Sequence, residues 1–174
     1  DRRQRQMCIR DRSKMSYCSA KDLAIYIANR FYNRFHCNIS NLKLQKSLYF
    51  LFAYWSGFVR QGEGKQTEIK EVLQRDLFDD RIEAWSYGPV VRSVYDECEQ
   101  IKQLAKEGSA LSLPSVVQDF IDGMLDDIFS LSDFKLVEIS HQDDCWKRNY
   151  NQYDDFHNKE ITKDEIAYEY SQKN

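Results

Sequence analysis

From Leu48 to Trp55 every residue is apolar or aromatic, and no charge appears until Arg60. The charge-free stretch Leu48–Val59 falls short of the roughly 20 residues that cross a bilayer. A run this apolar suits a buried helix, surrounded on most sides by protein. The remaining sequence can do that, because 42% of the 174 residues are hydrophobic and 14% are aromatic. That share supports one packed domain and excludes wholesale disorder. Two prolines and six glycines leave too few tight turns for a β-sandwich or barrel. With 30% charged residues and a mean hydropathy of -0.69, a membrane protein is excluded too.

Other segments read as helices around that one. Ser19-Ala20-Lys21-Asp22 has the spacing of a capping box, and Leu23, Ile27 and Phe31 follow at four-residue steps. This predicts a first helix over 20–35. Asn38, Ser40 and Asn41 supply caps for the second, which carries Leu44, Leu48, Leu51, Phe52 and Trp55. Gln61–Gln74 is polar, holds Gly62 and Gly64, and reads as a loop. Next, Ile82, Ala84 and Ser86 alternate with Glu83, Trp85 and Tyr87, which predicts a short strand with Asp79-Asp80 as its turn. Pro89 fits the first turn of a third helix, with Val90, Val94, Cys98, Ile101 and Ala105 as its stripe and Gly108 as its end. Pro114 opens a fourth helix carrying Val117, Ile121, Met124 and Ile128. Ser132 caps a fifth with Phe134, Leu136, Val137 and Ile139. Thr162 and Glu165 form a capping box for the last, with Ile161 and Ile166 at staple positions. The expected fold is mainly α: about six helices, with one short β-hairpin between the second and third.

The first residues do not belong to this pattern. Met7-Cys8-Ile9-Arg10-Asp11-Arg12 resembles the translated end of a transposon adapter used in preparing sequencing libraries; a basic disordered tail is the other reading. No apolar stretch follows the charges, so residues 1–14 are not a signal peptide. The domain is expected to occupy 15–174, starting at Met15. Residues 1–14 carry a net charge of +4 and the whole chain -3, which leaves -7 on residues 15–174. So acidic a domain repels phosphate backbones, and direct nucleic-acid binding is not expected. Cys18, Cys37, Cys98 and Cys145 form no C-x-x-C pair and are expected to be free thiols in a reducing cytosol.

Few groups suggest chemistry. The histidines are His36, His141 and His157. His141 and Cys145 are four apart, with Asp143 and Asp144 between them, so on one helix they would share a face. That spacing admits part of a metal site or a Cys–His catalytic pair. Against this, a zinc site wants about four ligands, and cysteine hydrolases bring nucleophile and base together from distant segments. Ordinary roles are favoured: a hydrogen-bonding His141 at a helix end and a small buried Cys145. No phosphate-cradling glycine motif is present. Asp126-Asp127 reads as a solvated helix face. The aromatics Trp85, Tyr87, Tyr95, Trp146 and Tyr150 lie in or beside the hairpin and fifth helix, and such rings serve cores and interfaces alike. Tyr87-Gly88-Pro89 would hold the Tyr87 ring at a rigid corner.

Four blocks resemble one family. Lys43-Leu44-Gln45-Lys46-Ser47-Leu48-Tyr49-Phe50 is similar to the KLQKLLYF segment of the Panacea domain, found in SocA-like antitoxins and phage-associated GepA-like proteins. Phe78 with Ile82-Glu83-Ala84-Trp85-Ser86-Tyr87-Gly88-Pro89-Val90-Val91 resembles its central block, and Tyr95 falls where that block ends. Leu136–His141 with Trp146 and Ile161–Ile166 resemble its last two blocks. Ser140 stands in place of the usual Thr and Cys145 in place of the usual Pro, and the Gln61–Gln74 segment is longer than in compact members. The resemblance implies a cytoplasmic bacterial or phage antitoxin that neutralises a toxin by direct binding. It implies no cofactor, metal, catalytic residue or membrane, hence no enzyme. The partner-binding residues expected from it are Trp85, Tyr87, Gly88, Pro89, His141 and Trp146. The alternatives are an adaptor that delivers the toxin to a protease such as a Clp-type complex, and a small hydrolase or metal enzyme using His141 and Cys145.

Overall fold

The computed structural model describes residues 16–62, 75–153 and 159–173. The expectations for residues 1–14, for most of the Gln61–Gln74 loop and for His157 fall outside them.

Helix α1 (Ala20–Phe35) starts where the Ser19 hydroxyl accepts the Asp22 N–H, 3.1 Å away. It ends at His36, whose left-handed backbone (φ 57°) lets its N–H reach the Tyr32 carbonyl. Helix α2 (Asn41–Gly62) is the centre of the fold, and every residue from Leu44 to Ala53 is buried. Leu23, Ala24 and Ile27 of α1 share its core. The apolar run is thus enclosed on most sides, with Tyr54 and Phe58 left exposed on the remaining one.

Strand β1 (Ile82–Trp85) turns through Ser86-Tyr87 into β2 (Gly88–Val91). The strands are antiparallel, with Trp85 opposite Gly88, Ala84 opposite Pro89 and Ile82 opposite Val91. This corrects two expectations. The turn is Ser86-Tyr87, not Asp79-Asp80, and Pro89 lies in the second strand, not at a helix start. Asp80 instead accepts the Ala20 N–H and the Ser93 hydroxyl. A two-residue turn makes Trp85 and Gly88 the hydrogen-bonded closing pair, so Pro89 falls at a position where the ladder needs no N–H. A third strand, β3 (Glu160–Ile161), pairs with the other side of β1, giving the order β2-β1-β3. Two residues carry too little pattern to announce it.

The expected third helix is two: α3 (Arg92–Tyr95) and α4 (Cys98–Glu107), broken at Asp96-Glu97. Val94, Ile101 and Ala105 nevertheless all reach the core, and α4 ends at Gly108. Helix α5 (Ser115–Phe129) follows Pro114. Helix α6 (Asp133–His141) is capped by Ser132, which accepts the Lys135 N–H. The fifth helix holds Phe134, Leu136, Val137 and Ile139 as expected, and a separate α7 (Asp144–Asn149) carries Trp146. Finally α8 (Lys163–Ser171) has the full Thr162–Glu165 capping box. Eight helices are thus found among the described residues, where about six were expected. Helix α8 lies close on α2 because of Gly57: a Cβ there would come within 2.8 Å of the Tyr170 backbone.

Candidate functional site

The sequence-selected residues converge on the hairpin turn. His141, the last residue of α6, reaches the turn with its ring: Nε2 lies 3.0 Å from the Ser86 carbonyl oxygen. A carbonyl only accepts, so Nε2 carries the hydrogen. Trp146, early in α7, donates its indole N–H to the Trp85 carbonyl at 2.8 Å. The two rings stack, with centroids 4.2 Å apart, and Tyr150 stacks on the far face of Trp146 at 4.8 Å. Trp85 packs edge-on against Tyr95 beneath the Arg92 guanidinium. Its indole N–H goes to Glu83, a carboxylate only 5% exposed that also pairs with Arg81 and Arg92.

Exposure divides the six candidates. Tyr87 stands 64% exposed at the tip, and Trp85, His141 and Trp146 are half-buried. Gly88 and Pro89 are buried. They belong to the support, not to the surface they were expected to form. Gly88 adopts φ +104°, and a Cβ there would overlap Ser140 Oγ and come 2.9 Å from Lys46 Cε. Glycine is required on both counts.

Beneath the turn, α2 holds β2 by two side chains. Gln45 donates to the Val91 carbonyl at 3.1 Å and accepts the Val91 N–H at 2.8 Å. Lys46, fully buried, donates from Nζ to the Pro89 carbonyl at 3.0 Å, and burial pushes its amine down to about 7. Register explains the pairing, since Pro89 and Val91 turn their backbone groups away from β1. Sequence reading used Gln45 and Lys46 only as motif letters. They stand in the polar opening of α2, before the apolar run, where no local pattern marks them for burial, and once buried their polar groups require partners.

A second buried network positions α7. Asp143, 1% exposed, accepts from the Tyr49 and Tyr170 hydroxyls, each at 2.5 Å, and pairs with Lys173 at 2.7 Å. Burial, reinforced by neighbouring charge, raises both tyrosines well above their ordinary range. Cys145 Sγ lies 3.5 Å from the Tyr49 oxygen, and burial pushes its thiol up to about 12. Glu169 accepts the N–H groups of Asp144 and Cys145.

His141 and Cys145 are not brought together as one helix would bring them, because the chain breaks between α6 and α7. One ring faces the turn and the thiol faces Tyr49. Cys145 instead lies with Asp143 and Glu169, the three ligand atoms within 4.8 Å of one another. The two carboxylates there are already engaged by the tyrosines, Lys173 and two backbone N–H groups.

Comparison with known families places a match on this region. Residues 66–147, a little under half the chain, match the model described as antitoxin SocA-like, Panacea domain. The sequence resemblance is borne out over that span, which holds the hairpin, α3 to α6 and Trp146. The Lys43–Phe50 and Ile161–Ile166 blocks lie outside it. No curated protein and no solved structure matches the chain. Among the described residues, no helix is long and apolar enough to cross a membrane.

Proposed function

We propose that this chain is the antitoxin of a toxin–antitoxin pair and silences its toxin by occupying the toxin's surface. The contact surface in this reading is the platform of Tyr87, Trp85, His141 and Trp146, with Tyr95 and Tyr150 at its margins. The observation that carries it is the double tether of the turn. His141 and Trp146 each hold a carbonyl of the Trp85-Ser86 segment, so the rings are fixed before any partner arrives. Preformed aromatic side chains lose little conformational freedom on binding. The family name supports a neutralising role. Helices α2 and α8 supply the buried supports of the platform from outside the matched span, which supports treating 15–174 as one working domain.

The test is co-expression with the product of the neighbouring open reading frame. The expected result is restored growth and a stable complex, with toxin half-life lengthened by masking. Rescue accompanied by faster loss of the toxin would replace masking with adaptor-driven proteolysis. No rescue and no complex with any adjacent gene product would overturn the reading.

A further inference from the structure

We propose that Lys46 is a proton-sensitive latch beneath the hairpin: as an uncharged amine it holds the Gly88-Pro89 corner, and a proton taken up in place loosens that corner.

The geometry makes the charged form a poor fit. The side chain is fully buried, projecting from the middle of the fold against β2 and α6. Among the described residues its one hydrogen-bond acceptor is the Pro89 carbonyl. An ammonium group offers three donors, an amine two and a lone pair, so the neutral form leaves fewer donors unmatched. Neighbouring atoms close the space. Ser140 Oγ already donates to the Val137 carbonyl, and Gly88 packs so near that a Cβ would lie 3.1 Å from Nζ. Admitting water or a counter-charge to an ammonium there means moving Gly88.

The ionisable groups on the surrounding elements are engaged elsewhere. His141 of α6 faces the Ser86 carbonyl, and Asp143, just beyond it, takes Tyr49, Tyr170 and Lys173. Glu83 of β1 is held by Arg81 and Arg92, and Lys43, one turn back on α2, pairs with Asp133. Among the described residues no acid pairs with the amine. Burial accordingly lowers its affinity for protons to about 7 from an ordinary 10.5.

The sign follows from linkage. Between about pH 7 and 10.5 the unfolded chain holds a proton at Lys46 that the folded chain does not, so the contribution of this one group to stability rises with pH across that window, opposed above about pH 9 by the buried thiols and tyrosines. One proton corresponds to up to about tenfold in the unfolding constant per pH unit. Below about pH 7 the folded protein takes the proton and the latch opens. This requires no partner, so it stands or falls independently of the proposed function.

The full chain, labelled with carbon-13 at lysine Cε, would be titrated by NMR from pH 5 to 11. In parallel, amide-exchange protection of Gly88, Val90 and Val91 would be compared with that of Ile27 in α1. One lysine resonance, absent from Lys46→Met, is expected to titrate near 7. Protection at the three hairpin amides is expected to fall below pH 7 relative to Ile27, and Lys46→Met is expected to remove that change. If every lysine titrates above about 9.5, or the hairpin change survives Lys46→Met, the latch is wrong. Should Lys46→Met fail to fold, contact of the shifted Cε resonance with Pro89 assigns it in the wild type, and flat relative protection there refutes the proposal.

Discussion

Gln45 binds both the N–H and the carbonyl of Val91, so one helical side chain completes the backbone of a strand 46 positions away. Gln45→Leu keeps the size but leaves both buried groups without partners. The expected loss is about 2–4 kcal/mol of unfolding free energy, measured by urea denaturation. A cost under about 1 kcal/mol would mean that another group takes over.

Gly88 is constrained twice, by its backbone angle and by Ser140 and Lys46 around it. Gly88→Ala should cost about 2 kcal/mol or more. Adding Ser140→Ala should recover the part of the steric cost that the Ser140 hydroxyl imposes, leaving the Lys46 contact and the backbone part. A double-mutant cycle on thermal unfolding therefore separates the two, and strictly additive costs would contradict this geometry.

Tyr87 is the most exposed member of the platform and makes no tether. Tyr87→Ala should leave stability within about 0.5 kcal/mol. In the proposed function it weakens the partner complex tenfold or more, by titration calorimetry with the purified partner. His141→Ala frees one side of the turn as well, so both stability and affinity should fall.

Alkaline pH should unfold the domain from its interior. Burial pushes Cys145 and Cys18 up to about 12 from 9.0, and raises Tyr49 and Tyr170 above 10. A folded state that resists losing protons is fully favoured below the unfolded values and loses that advantage as pH climbs. Stability is therefore expected to decline from about pH 9 toward 12, and Cys18→Ala with Cys145→Ala should flatten the first part of the decline. Denaturant midpoints at half-unit pH steps would show it.

Much of the fold could be read locally. The Ser19, Ser132 and Thr162 caps need only a few neighbouring residues, and Leu48–Trp55 announces the burial of all its residues but Tyr54. The hairpin was harder. Proline has the same φ at a helix start as at a strand position that needs no N–H, so Pro89 fits both. What decides is Lys46, 43 positions away, meeting its carbonyl. The His141–Cys145 spacing puts the two on one face only in an unbroken helix, and the break between them leaves the roles that the sequence favours, a hydrogen-bonding histidine at a helix end and a small buried cysteine. Trp85, Tyr87, His141 and Trp146 stand out in the sequence because they occupy the blocks that resemble the family, and the structure brings them to one turn. Their supports, Gln45, Lys46, Tyr49 and Asp143, had no local pattern, because their partners come from distant elements.

The outward side of β2 has no free backbone groups at Pro89 and Val91, since α2 uses them. An incoming strand would find nothing there to zip onto. Recruitment by sheet extension, a common route for both specific peptide capture and runaway aggregation, is closed along that border.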